Sequence, residues 1–407
     1  MSSNVKFIGF HAFYGIRAYN KYGSVYYVGN EKEPYLYAVS LAKEVGDIIS
    51  FHEGTAGISQ KLLEKLDLKS ILIDAADNCG KYLRSENNCI IRNSDSSIIC
   101  GENVTGIPEG ITSIDDFAFN GATVAEEIIL PASLEKIGKE SFSGCKNLKK
   151  VTFTGAKTEL SHAAFENCKT LETVVLPSAL AEIPDYCFFG CNVLSEIIIP
   201  DSVVYLGFGC LNYCESLTEI ELPGVVVIDS RAFANCASLN SITFSDSLRY
   251  IGSMAFSRCY LLESVQFPEN IEYIGYMAFS STGMTSFEHP DNVGNFESCA
   301  VSLSTELLSL GIQEGVTELK SRYLYSCRAL KEIFLPSTLT ALESVALFDL
   351  PALEKLYYSG TVDEWAALEK DEKWYVGTPA FKVVCSDGEI EYPAVENDGS
   401  GYDITID

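Results

Sequence analysis

The sequence predicts a solenoid, a chain that winds into stacked coils around one continuous core. Two observations support this prediction. A pattern of apolar residues returns every 22 or 23 residues from Pro108 to Tyr358. Within each copy, the apolar spacing changes from three or four residues to two. A unit this short cannot bury its own apolar side, so copies at a fixed period must stack on one another.

One copy illustrates how a coil is built. In the stretch "DYCFFGCNVLSEIIIP" (185–200), Phe188, Cys191 and Leu194 have the spacing of one buried side of an α- or 3₁₀-helical turn. Ile197 then begins an alternating segment, which is typical of a short strand. Proline ends the strand because it has no N–H to donate. The strands of successive coils are expected to form a parallel sheet with a spacing of about 4.8 Å.

Eleven copies keep this register without a break. They start at residues 108, 131, 154, 177, 200, 223, 245, 268, 290, 313 and 336. The repeat divides the chain into three expected parts: degenerate N-terminal repeats over 1–107, the regular array over 108–358, and a C-terminal cap and tail over 359–407. We also expect the chain to be a trimmed piece of a longer protein, because "IGFHAFYG" (8–15) reads as the middle of a coil.

Each copy follows P-x-x-L-x-x-I-G-x-x-A-F-x-x-C-x-x-L-x-x-I-x-I. This pattern resembles the BspA-like, or treponemal-type, leucine-rich repeat, and the resemblance rests on many registered copies over most of the chain. It implies a right-handed curved coil, with a parallel β-sheet on the concave face and short strands or 3₁₀ turns on the convex side. It also implies an extracellular or cell-surface bacterial protein with an adhesive or protein-binding role, and it carries over no catalytic residues.

Three segments outside the regular array have patterns of their own. Two inserted β-hairpins are predicted, one in 24–42 with a turn at Asn30–Pro34 and one in 88–101 with a turn at Asn93–Ser96. After the array, Thr361 and Glu364 form the sequence signature of a helix capping box. A closing hairpin is expected to follow, because the last coil would otherwise expose its core.

Composition narrows the class of function. The chain has 407 residues and a formal net charge of −27, which repels nucleic acid and anionic membrane surfaces. No run of 18 apolar residues is present, so no membrane span is expected. The four histidines are scattered over different repeat positions, and no common catalytic or nucleotide-binding motif appears. The sequence therefore predicts a protein that is not an enzyme and needs no cofactor.

Seven of the fourteen cysteines occupy one repeat position, and we interpret them as a buried structural column. Free cysteine packs as a small hydrophobe, and other copies place alanine, threonine, serine or leucine there. The column comprises Cys145, Cys168, Cys191, Cys214, Cys236, Cys259 and Cys327.

Four other cysteines leave alternatives open. Cys187 and Cys210 add a second thiol to two copies, which allows a metal–thiolate site or one strained disulfide as remote alternatives to simple burial. Cys89 and Cys100 lie near-opposite in the second hairpin if its turn is symmetric, so a disulfide is possible there in an oxidising compartment.

Two surfaces are candidates for binding. The second outward position of the sheet reads, in chain order, Ile129, Thr152, Val175, Ile198, Glu221, Thr243, Gln266, Glu288, Gly311, Phe334 and Tyr357. Its first four members form an apolar stripe interrupted only by threonine, which is typical of a contact surface, although β-branched residues also suit strands in general. The second candidate is a set of tyrosines in the first hairpin, which suits either recognition or cross-strand packing. These are Tyr26, Tyr27, Tyr35 and Tyr37.

The function predicted from the sequence is a surface-exposed or secreted module that binds a protein, on a host or a neighbouring cell. A carbohydrate- or mucin-binding module that uses the hairpin tyrosines is the alternative. A glycan array separates these two functions, and metal analysis tests the metal–thiolate alternative.

Overall fold

A computed structural model describes residues 20–22, 25–28, 37–41, 57–58, 83–288, 290, 295–296 and 299–397. By its internal contacts the chain divides into two compact units. The first unit comprises Met1–Leu180 and Tyr186–Ile197, and the second comprises Ala181–Asp185 and Ile198–Asp407. The three-part division expected from the sequence stays a prediction.

The regular coils of the first unit contribute one long strand each to a parallel sheet. These strands are β9 (Glu127–Leu130), β11 (Lys150–Phe153), β13 (Thr173–Val175) and β15 (Glu196–Ile198), the last residue of which is counted with the second unit. Lys150 pairs with Thr173, 23 residues later, so the pairing register equals the sequence repeat. Along each strand buried and outward residues alternate, as the two-residue apolar spacing predicts. The predicted parallel solenoid is therefore confirmed, and its handedness and curvature stay predictions.

A second sheet in this unit combines three two-residue strands of the coils with three longer antiparallel strands that include a hairpin. Its members are β5 (Leu83–Glu86), β6 (Cys89–Arg92), β7 (Ser97–Gly101), β8 (Ser113–Ile114), β10 (Lys136–Ile137) and β12 (Glu159–Leu160). Strands β6 and β7 pair antiparallel across Asn93–Ser96, which confirms the second predicted hairpin. Arg92 fastens it to the first coil, because its guanidinium lies 2.5 Å from Asp115, and a second ion pair at 3.1 Å joins Arg92 to Asp95 within the hairpin turn.

In the second unit the short strands again form a parallel sheet. They are β14 (Glu182–Ile183), β16 (Tyr205–Leu206), β18 (Val227–Ile228), β20 (Tyr250–Ile251), β21 (Tyr273–Ile274) and β23 (Asn295–Phe296). Later coils form two three-stranded sheets of the same kind. One contains β25 (Glu318–Leu319), β28 (Ala341–Leu342) and β31 (Glu369–Lys370), and the other β26 (Leu324–Tyr325), β29 (Leu347–Phe348) and β32 (Tyr375–Val376).

The long strands of the second unit fall into two separate sheets. The first contains β17 (Glu219–Leu222) and β19 (Ser241–Phe244). The second contains β22 (Ser286–Glu288), β24 (Ser309–Gly311), β27 (Glu332–Leu335), β30 (Lys355–Tyr358), β33 (Phe381–Val384) and β34 (Glu389–Tyr392). The segment 263–267 keeps the repeat pattern but forms no strand, so the expected sheet position of Gln266 is wrong. Phe267 is only half-buried there and packs edge-on against Phe279 and Phe287.

The segment before each long strand is a chain of tight turns, so the predicted helical or 3₁₀ turn is wrong for the described coils. Phe117 and Gly121 have left-handed backbone angles, with φ of 61° and 69°, and the same two positions are left-handed in the following copies. A helix cannot continue through such residues. The N–H of Phe119 instead bonds to the Ser141 carbonyl of the next coil at 2.7 Å, whereas Ala118 bonds back to Asp115. Successive backbone N–H groups therefore form hydrogen bonds alternately within their own coil and with the next coil.

The core of each unit contains a column of aromatic rings. In the first unit Phe142 lies 5.0 Å from Phe165, which lies 5.5 Å from Phe188, with nearly parallel rings. In the second unit Phe233 and Phe256 stack in the same way at 5.1 Å. The predicted inward slot is confirmed, because Phe188, Phe233 and Phe256 are completely buried.

The C-terminal end adds a further, distorted coil after Tyr358. Its strands β31, β32 and β33 pair in parallel with β28, β29 and β30 of the preceding coil. Helix α1 (Val362–Ala367) is inserted into this coil, and the predicted capping box is present: Glu364 N–H donates to Thr361, and Thr361 N–H donates to Glu364. Trp365 is buried. Strands β33 and β34 form the expected closing hairpin.

The N-terminal strands form a separate four-stranded sheet. They are β1 (Asn20–Tyr22), β2 (Val25–Val28), β3 (Tyr37–Leu41) and β4 (Gly57–Ile58). Strands β2 and β3 pair antiparallel, as the first predicted hairpin requires, and its predicted turn lies outside the described residues.

Candidate binding surface

The cysteine column lies inside the coils, next to the turn segments. Cys145 donates its S–H to the Phe119 carbonyl at 3.2 Å, and Cys168 donates to the Phe142 carbonyl at 3.0 Å. Cys236, Cys259 and Cys327 make the equivalent contact, each to a carbonyl of the preceding coil. The sequence predicts that these cysteines pack in the core, but it does not predict the S–H hydrogen bond. The signal for that bond is that serine and threonine, which also donate, occupy the same repeat position in other coils.

Burial makes these thiols chemically inert. It raises the pKa of the Cys236 and Cys327 thiols to about 12, so both stay protonated at neutral pH. A protonated thiol is neither a good nucleophile nor a metal ligand. Among the residues that the structure describes, no group of three or more His, Cys, Asp or Glu side chains is arranged to hold a metal ion.

The remaining cysteines of interest are also buried. Cys187 and Cys210 are completely buried, in the position where other coils carry alanine. In the second hairpin Cys89 pairs with Gly101, and Cys100 pairs with Ile90. Because successive side chains of a strand leave opposite faces, this register directs the two thiols away from each other. The structure therefore does not favour the disulfide alternative.

The apolar stripe lies on the outward face of the first long-strand sheet. Ile129 is 59% exposed and Val175 is 43% exposed. Thr152 pairs with both of them, so the three side chains are direct neighbours across strands β9, β11 and β13. Ile198, the last residue of β15, is 72% exposed. All four residues lie on the outward side of their strands, with Thr152 half-buried, and a role of the stripe in binding stays a prediction.

The stripe is bordered by polar and charged side chains. The other outward residues of β9, β11 and β13 are Glu127, Lys150 and Thr173. Beside them Lys149 forms an ion pair with Glu126 at 3.0 Å. An apolar centre with a polar rim is the usual composition of a protein contact surface.

The same outward position has a different character in the second unit. Glu221, Thr243 and Glu288 are exposed and polar. At the C-terminal end Phe334 is 44% exposed, and its ring stacks on Tyr357 with centroids 4.8 Å apart. Phe334 and Tyr357 are 23 residues apart, which is one repeat, and this spacing is the sequence signal that would have identified the pair.

The hairpin tyrosines are only partly described. Tyr26 and Tyr27 lie on β2 and Tyr37 lies on β3, where Tyr27 pairs with Ala38 and Tyr37 pairs with Val28. Tyr35 lies outside the described residues. A role of these tyrosines in recognition stays a prediction.

Comparison with family models identifies the repeat. The model described as a BspA type leucine-rich repeat region, with six copies, matches residues 100–218, 181–307 and 226–354. These matches cover more than half of the 407 residues. The chain belongs to the BspA-type leucine-rich repeat family. The resemblance inferred from the sequence is thereby confirmed, and proteins of such families are generally not enzymes.

Solved structures of bacterial leucine-rich repeat proteins resemble this BspA-type chain in fold. The pneumococcal vaccine antigen PcpA is 18% identical, with a TM-score of 0.50, over 91% of this chain and 99% of that one. A leucine-rich repeat protein from Bacteroides ovatus is 22% identical, with a TM-score of 0.43, over 75% and 89%. A leucine-rich cell surface protein from Faecalibacterium prausnitzii is 19% identical, with a TM-score of 0.36, over 72% and 99%.

One further comparison and a search for membrane-spanning helices are both negative. The search of curated proteins finds none that resembles this chain. Within the part of the chain that the structure describes, no helix has the length and apolarity needed to cross a membrane.

Proposed function

We propose that this BspA-type protein is a surface-exposed or secreted module that binds a protein partner through the part of the stripe that lies in the first unit, Ile129, Thr152 and Val175. The observation that carries the proposal is the exposure of two large aliphatic side chains, Ile129 and Val175, in register on either side of Thr152 in one sheet. Solvent-facing sheet positions are usually polar, so such a row favours a contact surface. The partner is a protein of a host or of a neighbouring cell, as the family resemblance suggests.

The size of the stripe limits what it can do alone. Ile129 and Val175 are two strands apart, which corresponds to about 10 Å. That is the scale of a short peptide or one loop, and it is much smaller than a standard interface of about 800 Å² per partner. The stripe therefore acts as the apolar anchor of a larger contact, in which the surrounding charged residues form the rim.

The proposal is tested on a partner captured from host or bacterial surface extracts and then purified. The double variant Ile129→Glu/Val175→Glu should weaken its binding by about 30-fold, equivalent to about 2 kcal/mol, as expected for an anchor. Leu308→Glu is the matched control, because it places the same charge on an exposed aliphatic position outside the stripe. Control and parent should bind equally.

Two results would reject the stripe. The first is unchanged affinity of the double variant for the purified partner. The second is a glycan array in which the parent binds sugars and the double variant binds them equally well. The second result would favour the carbohydrate-binding alternative and direct attention to the hairpin tyrosines.

A further inference from the structure

A shallow groove runs along strand β24 on the outward face of its sheet. The two outward residues of β24 are Ser309 and Gly311, which are small and form the floor. The register places Gly311 between Glu288 of β22 and Phe334 of β27. We call this the β24 groove, with Glu288 on one wall and Phe334 on the other.

The aromatic wall of the groove is held in a fixed orientation. One face of the Phe334 ring is covered by Tyr357, whose ring is inclined to it by only 9°. Tyr357 is itself held, because its hydroxyl donates to Glu332 at 3.1 Å and Lys355 Nζ lies 5.8 Å from its ring centroid. The other side of Phe334 faces Gly311, which has no side chain to cover it. An aromatic face is therefore presented to solvent in a preorganised position.

The dimensions of the groove suit a planar group. Two strand spacings separate Glu288 from Phe334, or about 9.6 Å. A planar group stacked on the ring occupies only part of this width and leaves room for a hydrogen bond to the opposite wall. The Glu288 side chain borders the floor directly, since a Cβ added at Gly311 would be in van der Waals contact with Glu288 Cγ at 3.7 Å.

The charge of the groove selects a cation. Glu288 is exposed on one wall, and Glu332 lies next to Phe334 on the same face of β27. The positive side chains in the row, Lys355 of β30 and Lys382 of β33, lie beyond Glu332, one and two strands further from β24 than β27. The whole chain carries a formal net charge of −27, which attracts basic partners.

We propose that the β24 groove binds an arginine side chain of a protein partner. Its planar guanidinium would stack on the open face of Phe334 while its N–H groups donate to the carboxylate of Glu288. Arginine is preferred to lysine because only the guanidinium combines a planar stacking surface with paired donors. This inference goes beyond the proposed function, because the groove lies on a different sheet from the stripe and does not require it.

The probe is a blocked pentapeptide, Gly-Arg-Gly-Arg-Gly, and its lysine counterpart, with binding followed by NMR titration at 150 mM salt. The arginine peptide should bind several-fold more tightly than the lysine peptide. Phe334→Ala and Gly311→Leu should each weaken its binding by about tenfold, since the first removes the stacking face and the second fills the floor. Glu288→Gln should weaken binding, whereas Glu221→Gln, at the same outward position of β17, should not.

Three outcomes would overturn the inference. Equal binding to the parent, Phe334→Ala and Gly311→Leu would mean general charge attraction only. Equal binding of the arginine and lysine peptides would remove the stacking role. Binding of an N-acetylglucosamine oligomer that depends on Phe334, without binding of the arginine peptide, would assign the ring to a sugar. Ile129→Glu should leave peptide binding unchanged, so failure of the stripe and failure of the groove are distinguishable.

Discussion

The interior columns and the outward row of the long strands obey opposite rules. Inside, the same residue types recur from coil to coil: phenylalanine at one position and cysteine at another, all buried. Outside, the second outward position changes from Ile129 and Val175 in the first unit to Glu288, Gly311 and Phe334 in the second. Stacking imposes one environment on every interior position, whereas each outward position is free to vary. Repetition therefore identifies what holds the fold, and departures from repetition mark the surfaces that we propose to bind partners.

The largest expected effect of this contrast is on the phenylalanine column. Phe256→Ala should lower the free energy of unfolding by about 3–5 kcal/mol, because the ring is completely buried between Phe233 and Phe279. Denaturant titration measures the change. Phe334→Ala is the matched control on the outward row and should cost less than about 1 kcal/mol. Equal losses of unfolding free energy for the two variants would contradict the distinction between the buried columns and the outward row.

A smaller effect is expected where coils approach closely. A Cβ at Gly252 would lie 2.4 Å from the backbone nitrogen of Ser230, an atom that cannot move aside on its own. Gly252→Ala should therefore cost about 1–3 kcal/mol through overpacking. Gly106→Ala is the control, because nothing lies within 4 Å of its added Cβ. If both variants melt at the same temperature as the parent, the coils do not approach each other as closely at Gly252 as the structure shows.

The smallest interior effect is expected for the cysteine column. Cys168→Ala should cost only about 1–2 kcal/mol and preserve the fold. The Phe142 carbonyl keeps its bond from the Cys145 N–H at 3.1 Å, and Ala122 already occupies this position in the first coil. Unfolding on addition of a chelator, or zinc bound in stoichiometric amount, would contradict the packing role.

Thiol titration complements that variant. At pH 8 the folded protein should react slowly and at few cysteines, because burial removes access and raises the pKa of thiols such as Cys236 to about 12. The unfolded protein should react at nearly all of them. Fast reaction of most thiols in the folded protein would contradict the buried column.

Repetition explains how much of the fold could be predicted. The 23-residue register, the inward phenylalanines, both strand pairs of the inserted hairpins and the capping box at Thr361 all follow from residue type and spacing. The conformation of the turn segments could not be predicted in this way, because a helical turn and a series of tight turns would bury the same side chains. Left-handed residues such as Phe117 decide between them, and most of the side chains there give no signal for that conformation.

The ends of the array and the outward surface were less predictable. The coil after Tyr358 has lost the repeat pattern, because inserting helix α1 changes its strand offset to 27 or 28 residues. The stripe could be read from the sequence because alternation alone places Val175 outward. The stacking of Phe334 on Tyr357 requires knowledge of cross-strand register and ring orientation, which spacing does not supply.

The central claim is that one alternation in each long strand separates stability from binding, and neighbouring residues of β13 test it most directly. Val174 is buried and Val175 is exposed. The measurement is the free energy of unfolding of Val174→Glu beside that of Val175→Glu. The account predicts a loss of about 4 kcal/mol or more for Val174→Glu, because it buries an unpaired charge, and a change within about 0.5 kcal/mol for Val175→Glu. Similar losses for the two variants, or the larger loss at Val175, would contradict the account.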